Sequence, residues 1–281
     1  MKQHIVTYEP DNFLKKGYLI LLTDIIREFI DSKWLFYQLF KREFLATYKQ
    51  SLIGVFWALI VPLVTVGTFV LLNRSGIFKI GNLNVPYSVY AVLGMASWQF
   101  FATGLISGSN SLVKAGSMVV KINFSKKSLV LASSVQGTIS FLVQFLLGII
   151  LCFIFDIIPK WQILFIPFAL LPLLLLTFGL SLLLAILNGV IRDIGNAMTM
   201  LLTFVMFLTP VLYAMPENGI LAKLINLNPI SYLVSAPRDL VLYGKINEFT
   251  GYIYAVISSC IAFVFCLISF HLTETRVAER I

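Results

Sequence analysis

Six stretches of this chain run for eighteen residues or more without a single Asp, Glu, Lys, Arg or His: Ile53–Leu72, Tyr87–Ser107, Leu129–Phe155, Gln162–Leu187, Ala197–Ala214 and Tyr252–Phe270. A membrane helix needs about 20 mostly apolar residues. A backbone in lipid must also satisfy its own hydrogen bonds, so each run reads as a helix and not as an open strand. A transmembrane barrel would show segments of about ten residues with alternating polarity, and the chain has none. Composition agrees: 59% of residues are apolar and 12% charged, against about 25% charged in a soluble domain. Mean hydropathy is +0.91. A water-facing globular surface is excluded, and so is a disordered chain, which would be poor in apolar residues.

The same absence bounds function. An ionisable group inside a membrane is expensive and marks a proton relay, an ion site or a voltage sensor. With none in the six runs, a proton-coupled carrier or a voltage sensor is disfavoured. Pro62, Pro167, Pro172 and Pro210 lie in runs one, four and five. Each removes a backbone donor and reads as a tolerated kink or a hinge.

Charge orients the spans. With the N-terminus inside, fifteen of the 21 Lys and Arg fall on the cytoplasmic side and six outside. Such an excess belongs on cytoplasmic loops, so both termini are expected in the cytoplasm. Trp57 near the inner end of span one, and Trp161 and Tyr252 near the outer starts of spans four and six, sit where aromatic rings prefer the headgroup level. Topology thus accounts for part of the +8 net charge, and no nucleic-acid partner is expected. The polar first dozen residues do not read as a cleavable signal, so the chain is expected to keep its length.

The expected organisation is a cytoplasmic N-terminal segment over 1–50 followed by a six-span domain over 51–281. Within 13–50, Leu22, Ile25, Ile26, Phe29 and Ile30 recur at helical spacing opposite Asp24, Arg27, Glu28 and Asp31. Phe36, Tyr37, Phe40 and Phe44 repeat the pattern beside Lys33, Lys41 and Arg42. One or two amphipathic helices lying in the inner interface are expected. They serve as an anchor or as a docking surface, and the residues favour neither. The stretch between spans two and three carries Lys114, Lys121, Lys126 and Lys127 and no acid. It reads as topology-fixing charge, as a short helix touching a partner, or as lysines that attract phosphate at the membrane surface. Residues 215–250 hold two apolar runs, Ile220–Leu227 and Ile230–Leu242, broken by Asn228-Pro229 and Pro237. Both are too short to cross. They read as an outer re-entrant hairpin, or as a surface loop with amphipathic turns; re-entry requires burial in protein or a water-lined cavity.

Catalytic chemistry is missing. No GxxxxGK[ST] loop is present, and the one Gly-Lys pair, Gly244-Lys245, is followed by Ile246, so P-loop ATP hydrolysis is not expected of this chain. Asp156, Asp193 and Asp239 do not form a constellation for acid–base work. Cys152, Cys260 and Cys266 lie in spans without metal-ligand spacing and read as packing residues. His4 and His271 stand alone near the two ends. No metal and no bound cofactor are expected.

The stretches YKQSLIGVFWALIVPL (Tyr48–Leu63), VLGMASWQFFATGLISGSNSLV (Val92–Val113), RDIGNAMTMLLTFVMFLTPVLY (Arg192–Tyr213) and NPISYLVSAPRDLVLYG (Asn228–Gly244) are similar, in order, to the first span, second span, fifth span and outer re-entrant segment of permeases of ABC-type polysaccharide exporters. The N-terminal segment resembles most the branch that exports O-antigen and related surface polysaccharides. The resemblance implies an all-α permease of six spans with an interface helix and an outer re-entrant hairpin, in the plasma membrane, or the inner membrane of a host with two. It implies a second copy of the chain and two cytosolic ABC ATPases as partners, with ATP and magnesium held by the ATPases. The implied cargo is a polysaccharide on undecaprenyl diphosphate. Carried across, ATPase contacts would involve the stretches Lys33–Lys49 and Lys114–Lys127, with Lys33, Lys41, Arg42, Lys49, Lys114, Lys121, Lys126 and Lys127 as their cations.

A path between two copies would be lined by spans one, two and five. There Trp98, Phe100, Phe101, Phe204, Phe207 and Tyr213 present rings to sugars, or are core and lipid-facing aromatics. Arg192 and Asp193 pair at the start of span five, or mark where a lipid diphosphate enters. Arg238 and Asp239 pair and hold the hairpin. The same architecture also serves a permease for teichoic acid, a lipid or a drug, and an ATP-independent channel or carrier is the alternative of another class.

Overall fold

The structure is a computed structural model that describes residues 33–49, 56–75, 85–116, 125–215 and 218–277. The predicted helical segment around Leu22–Ile30 and Lys121 lie outside the described residues. The described chain is helical: α1 Lys33–Lys49, α2 Trp57–Arg74, α3 Tyr87–Ala115, α4 Lys126–Ser134, α5 Gln136–Ile154, α6 Ile166–Val190, α7 Asp193–Phe207, α8 Ile220–Leu227, α9 Pro229–Leu242 and α10 Phe249–Val277. A 3-10 turn over Trp161–Phe165 leads into α6.

Among the described residues, four continuous stretches are long and apolar enough to cross a bilayer: Tyr87–Ala115, Lys126–Ile154, Trp161–Val190 and Phe249–Thr273. The second joins α4 and α5 through Val135, and the third joins the 3-10 turn to α6. α2 covers Trp57–Leu72 of run one, whose first residues, 53–55, lie outside the described ones. The fifth apolar run behaves differently. Run five is only partly helical: α7 stops at Phe207, three residues before Pro210, and the chain turns through Leu208–Tyr213. Proline lacks a backbone donor and disfavours helix in the residue before it. At 15 residues, α7 is about 22 Å long, short of a hydrocarbon core of about 30 Å. Pro167, by contrast, sits at the start of α6 where a missing donor costs nothing, and Pro172 lies inside that helix.

α3 is the central helix. It packs against α5, α6, α4 and α9, with α2 and α7 also in contact. Lipid tails are as apolar as leucine, so helices associate here through close packing and not through escape from water. Small residues make that approach possible. A Cβ on Gly137 of α5 would collide with the Phe100 carbonyl of α3. Along α3, side chains from Val89 to Leu105 fill one core with α5, α6, α9 and the turn after α7. A second core lies at the other end, where Leu39 of α1 meets Leu112, Leu129, Val130, Leu182 and Phe270. The two ends of the molecule are therefore marked: α1 and α4 at the C-terminal end of α3, α9 at its N-terminal end, with α3 spanning 29 residues between them.

One boundary and one helix face differ from the pattern in the sequence. Lys114 lies in the last turn of α3 rather than in a loop, where its charge complements the helix dipole; Gly116 closes the helix at φ 48°. In α1 the buried side is Leu39 with Leu35, Phe36 and Phe40 partly covered, while Trp34 and Tyr37 face outward.

Candidate functional site

The non-helical turn after α7 leaves backbone carbonyls without helical partners, and these must be satisfied. Side chains of α9 and its cap do so. Asn228 caps α9 by accepting from the Ile230 N–H at 3.1 Å. Its Nδ2 donates to the Leu208 carbonyl at 3.3 Å and to Thr209 Oγ1 at 3.1 Å. Arg238 Nη1 donates to the carbonyls of Pro210 at 3.1 Å and Val211 at 3.4 Å. Its Nη2 donates to Ser235 Oγ at 3.0 Å. The guanidinium also lies 3.8 Å over the centre of the Tyr90 ring, a cation–π contact, and the Tyr90 hydroxyl donates to the Tyr213 carbonyl at 3.2 Å. Gly94 lets the turn approach α3, since a Cβ there would collide with the Val211 carbonyl. One buried arginine thus ties α9, the end of α7 and α3 together.

Asp239 is buried beside it. Its Oδ1 is 3.8 Å from Arg238 Nε, an ion-pair distance too long for a hydrogen bond, and its Oδ2 accepts from the Asn247 N–H at 3.2 Å. Burial pushes the carboxyl above the usual carboxylate range, while Arg238 and Asn247 hold it partly back. The pairing of Arg238 with Asp239 is therefore loose, and the stronger partners of the guanidinium are carbonyls and a ring.

The candidate aromatic residues divide. Trp98, Phe100 and Phe101 are buried in the chain's own core, with Trp98 and Phe101 centroids 5.7 Å apart and Phe100 edge-on to Phe141 at 6.2 Å. Phe204 and Phe207 are exposed on α7. Tyr213 is half-buried, and its hydroxyl donates to the Phe207 carbonyl at 2.7 Å. Arg192 and Asp193 are both exposed, and no side-chain hydrogen bond caps α7 there.

At the opposite end, α1 packs on α4. The two stretches singled out for partner contact thereby meet on one side of the bundle. Lys33, Lys41, Arg42 and Lys114 are exposed, Arg42 pairing with Glu43 at 2.6 Å. Lys126 is half-exposed and Lys127 buried; Lys49 ends α1. Ser125 caps α4, accepting from the Ser128 N–H at 3.4 Å. Nearby, Asn188 at the end of α6 donates to the Ser109 carbonyl at 3.1 Å and to Asn110 Oδ1 at 3.0 Å, and accepts from the Gly195 N–H at 2.8 Å. It links α3, α6 and the first turn of α7. The sequence reading missed Asn188 and Tyr90; Asn188 stands just past the end of the fourth apolar run, and Tyr90 is one of several polar groups in the second. Asn228 had a visible signal, an N-cap type followed by proline at the first helical position.

Among the described residues no group of three His, Cys, Asp or Glu is placed to hold a metal. The cysteines are free, Cys152 and Cys266 buried and Cys260 exposed.

A bundle of long apolar helices with polar side chains holding its helix ends together defines a multi-pass membrane protein. The profile of the ABC-2 type transporter family matches residues 35–242, most of the chain, and the chain belongs to that family. It is accordingly a transport subunit, a permease and not a catalytic domain, and its family implies a partner ATPase subunit. Among curated proteins it is similar to an O-antigen export system permease protein RfbA of Klebsiella pneumoniae, 26% identical over 226 residues, 75% of this chain and 83% of the relative. It is also similar to the RfbA of Myxococcus xanthus, 25% identical over 216 residues, 75% of this chain and 82% of that one. A further Klebsiella pneumoniae RfbA is 26% identical over 239 residues, covering 83% of this chain and 89% of the relative.

Proposed function

We propose that the chain is the transmembrane subunit of an ATP-driven exporter that carries undecaprenyl-diphosphate-linked polysaccharide of the O-antigen type out of the cytoplasm. The observation that carries this reading is the family match over residues 35–242, joined to relatives whose names specify O-antigen export. In this reading the chain lies in the plasma membrane, or the inner membrane of a two-membrane host. Both termini are cytoplasmic, as the excess of Lys and Arg favours. α2 and α7 with its following turn supply the first and fifth spans. α8 and α9 form the outer re-entrant hairpin; burial of most of α9 in protein is what such a segment requires. The functional units are the N-terminal segment 1–50 and the six-span domain 51–281.

Two copies work with two ATPases, which hold ATP and magnesium. α1 and the start of α4, with Lys33, Lys41, Arg42, Lys49, Lys114, Lys121, Lys126 and Lys127 around them, receive the ATPase. Because α1 packs on α4 and α4 on α3, a push there reaches the central helix. Cargo passes between the two copies, and the exposed rings of Phe204 and Phe207 are the aromatic surface offered to it. Arg192 and Asp193, exposed beside the Asn188 junction, stand at the inner mouth.

Deletion of the gene tests this. Loss of surface glycan with cytoplasmic accumulation of a lipid-linked polymer is expected. Unchanged glycans with altered drug resistance would refute the cargo. Cargo movement by the purified chain alone in liposomes, without ATP, would refute the mechanism.

A further inference from the structure

Around Arg238 the packing leaves a partly enclosed cavity of about 210 Å³. It lies between the N-terminal end of α3, the inward side of α9 and the turn from α9 to α10. Its volume is that of roughly seven liquid waters, below the drug-sized range of about 300 Å³ and upward, and suits a single sugar ring. Its wall combines Ser231, Arg238, Asp239, Asn247 and Glu248 with the tyrosines Tyr232 and Tyr243.

Two of these groups are unspent. Ser231 is 1% exposed, yet among the described residues its hydroxyl has no hydrogen-bond partner. The Nε of Arg238, on a side chain 4% exposed, likewise donates to nothing. Buried polar groups in folded proteins are nearly always satisfied, so these donors point to something that fills the cavity. The Asp239 carboxylate has spare acceptor capacity as well, because two oxygens offer about four lone-pair sites and its backbone partner Asn247 takes one.

Charge selects the ligand class. Two carboxylates, Asp239 and Glu248, share the wall with one guanidinium that is already bonded to carbonyls. A phosphate would meet net repulsion. A neutral polyol offers donors to the carboxylates and acceptors to Ser231 and Arg238, and tyrosine rings suit the apolar face of a pyranose. We propose that this cavity binds one pyranose unit of the transported glycan, with Ser231, Asp239 and Glu248 bonding its hydroxyls. This assignment rests on the exporter reading. It adds a sugar-holding station at the end of the bundle remote from α1, where a polymer that has crossed would be caught before it slides back.

The test uses the full chain in phospholipid nanodiscs, free of glycoside detergents. The probes are the oligosaccharide repeat released from the host's own surface glycan, and methyl glycosides of its component sugars. Saturation-transfer NMR should show transfer to the repeat or to a component glycoside. Ser231→Ala, which removes a hydroxyl without orphaning a partner, should weaken binding about fivefold, the loss of one hydrogen bond, and leave the unfolding transition in place. Glu248→Gln, at an exposed position, should weaken it by a similar factor. No transfer in the wild type, equal transfer in the wild type and both variants, or displacement by inorganic phosphate would each overturn the assignment. A deletion strain that accumulates lipid-linked glycan alongside a wild-type chain that binds no sugar sinks the cavity alone. A deletion strain without accumulation sinks the exporter reading, whatever the NMR shows.

Discussion

The contact between Arg238 and Tyr90 makes a quantitative prediction. The guanidinium lies 3.8 Å from the ring centre on a side chain 4% exposed, so little solvent screens it. A desolvated cation–π contact is worth about 2 kcal/mol. Arg238→Gln removes that, removes the charge, and withdraws donors from the carbonyls of Pro210 and Val211. Each orphaned buried acceptor costs about 1–3 kcal/mol; with both carbonyls at the low end of that range, the expected total is at least about 4 kcal/mol. Tyr90→Leu removes the ring contact and the hydrogen bond to the Tyr213 carbonyl, worth about 1 kcal/mol, for about 3 kcal/mol in all. Tyr90→Phe keeps the ring and should cost only that 1 kcal/mol. The double variant should fall short of the sum of its singles by about 1–2 kcal/mol, the coupling energy of the pair. Unfolding in mixed micelles by SDS titration, followed by tryptophan fluorescence, measures each corner of the cycle. A coupling under about 0.5 kcal/mol, the scatter expected of independent sites, would refute the claim that the ring holds the arginine. Its hydrogen bonds to the two carbonyls and Ser235, with the loose pair to Asp239, would then be what anchors it.

Gly94→Ala puts a Cβ against the Val211 carbonyl, and backbone cannot step aside as a flexible side chain can. A loss of about 1–3 kcal/mol is expected from such overpacking, read by the same titration, and wild-type stability would show that the turn after α7 is free to move. Asn188→Ala removes three hydrogen bonds joining α3, α6 and α7 and should cost about 2–3 kcal/mol; it should also uncouple ATP hydrolysis from export in the assembled transporter, measured as hydrolysis per glycan delivered. Because burial raises the Asp239 carboxyl in the folded chain, the folded state holds that proton more tightly than the unfolded state does. Its contribution is complete below the ordinary carboxylate range and is lost as pH rises through the folded value. Stability measured from pH 4 to 7 should carry a downward component that Asp239→Asn abolishes, and an unchanged slope in the variant would place the titration elsewhere. Phe204→Ala with Phe207→Ala should leave stability nearly unchanged, since both rings are exposed, while lowering glycan export; full export would assign the rings to lipid.

What the residues alone determine here follows from solvent physics. Long apolar stretches without an ionisable group belong in a membrane and mostly as helices, and among the described residues four of them appear as long, apolar, continuous helices. The two short apolar runs around Asn228-Pro229 become α8 and α9, because a capping side chain and a proline at the first helical position are local signals. Period and local chemistry do not say which neighbour a face will meet. So Trp98, Phe100 and Phe101, which composition cannot distinguish from Phe204 and Phe207, prove to be buried while the latter stay exposed. Likewise Pro210 announces a break in the fifth run, but only the packed molecule shows its orphaned carbonyls taken up by Arg238, a residue 27 positions beyond Val211 in the chain. Tertiary contact decided that clamp, the meeting of α1 with α4 and the cavity beside Asp239. Each depends on groups far apart in sequence satisfying one another in a place that water does not reach.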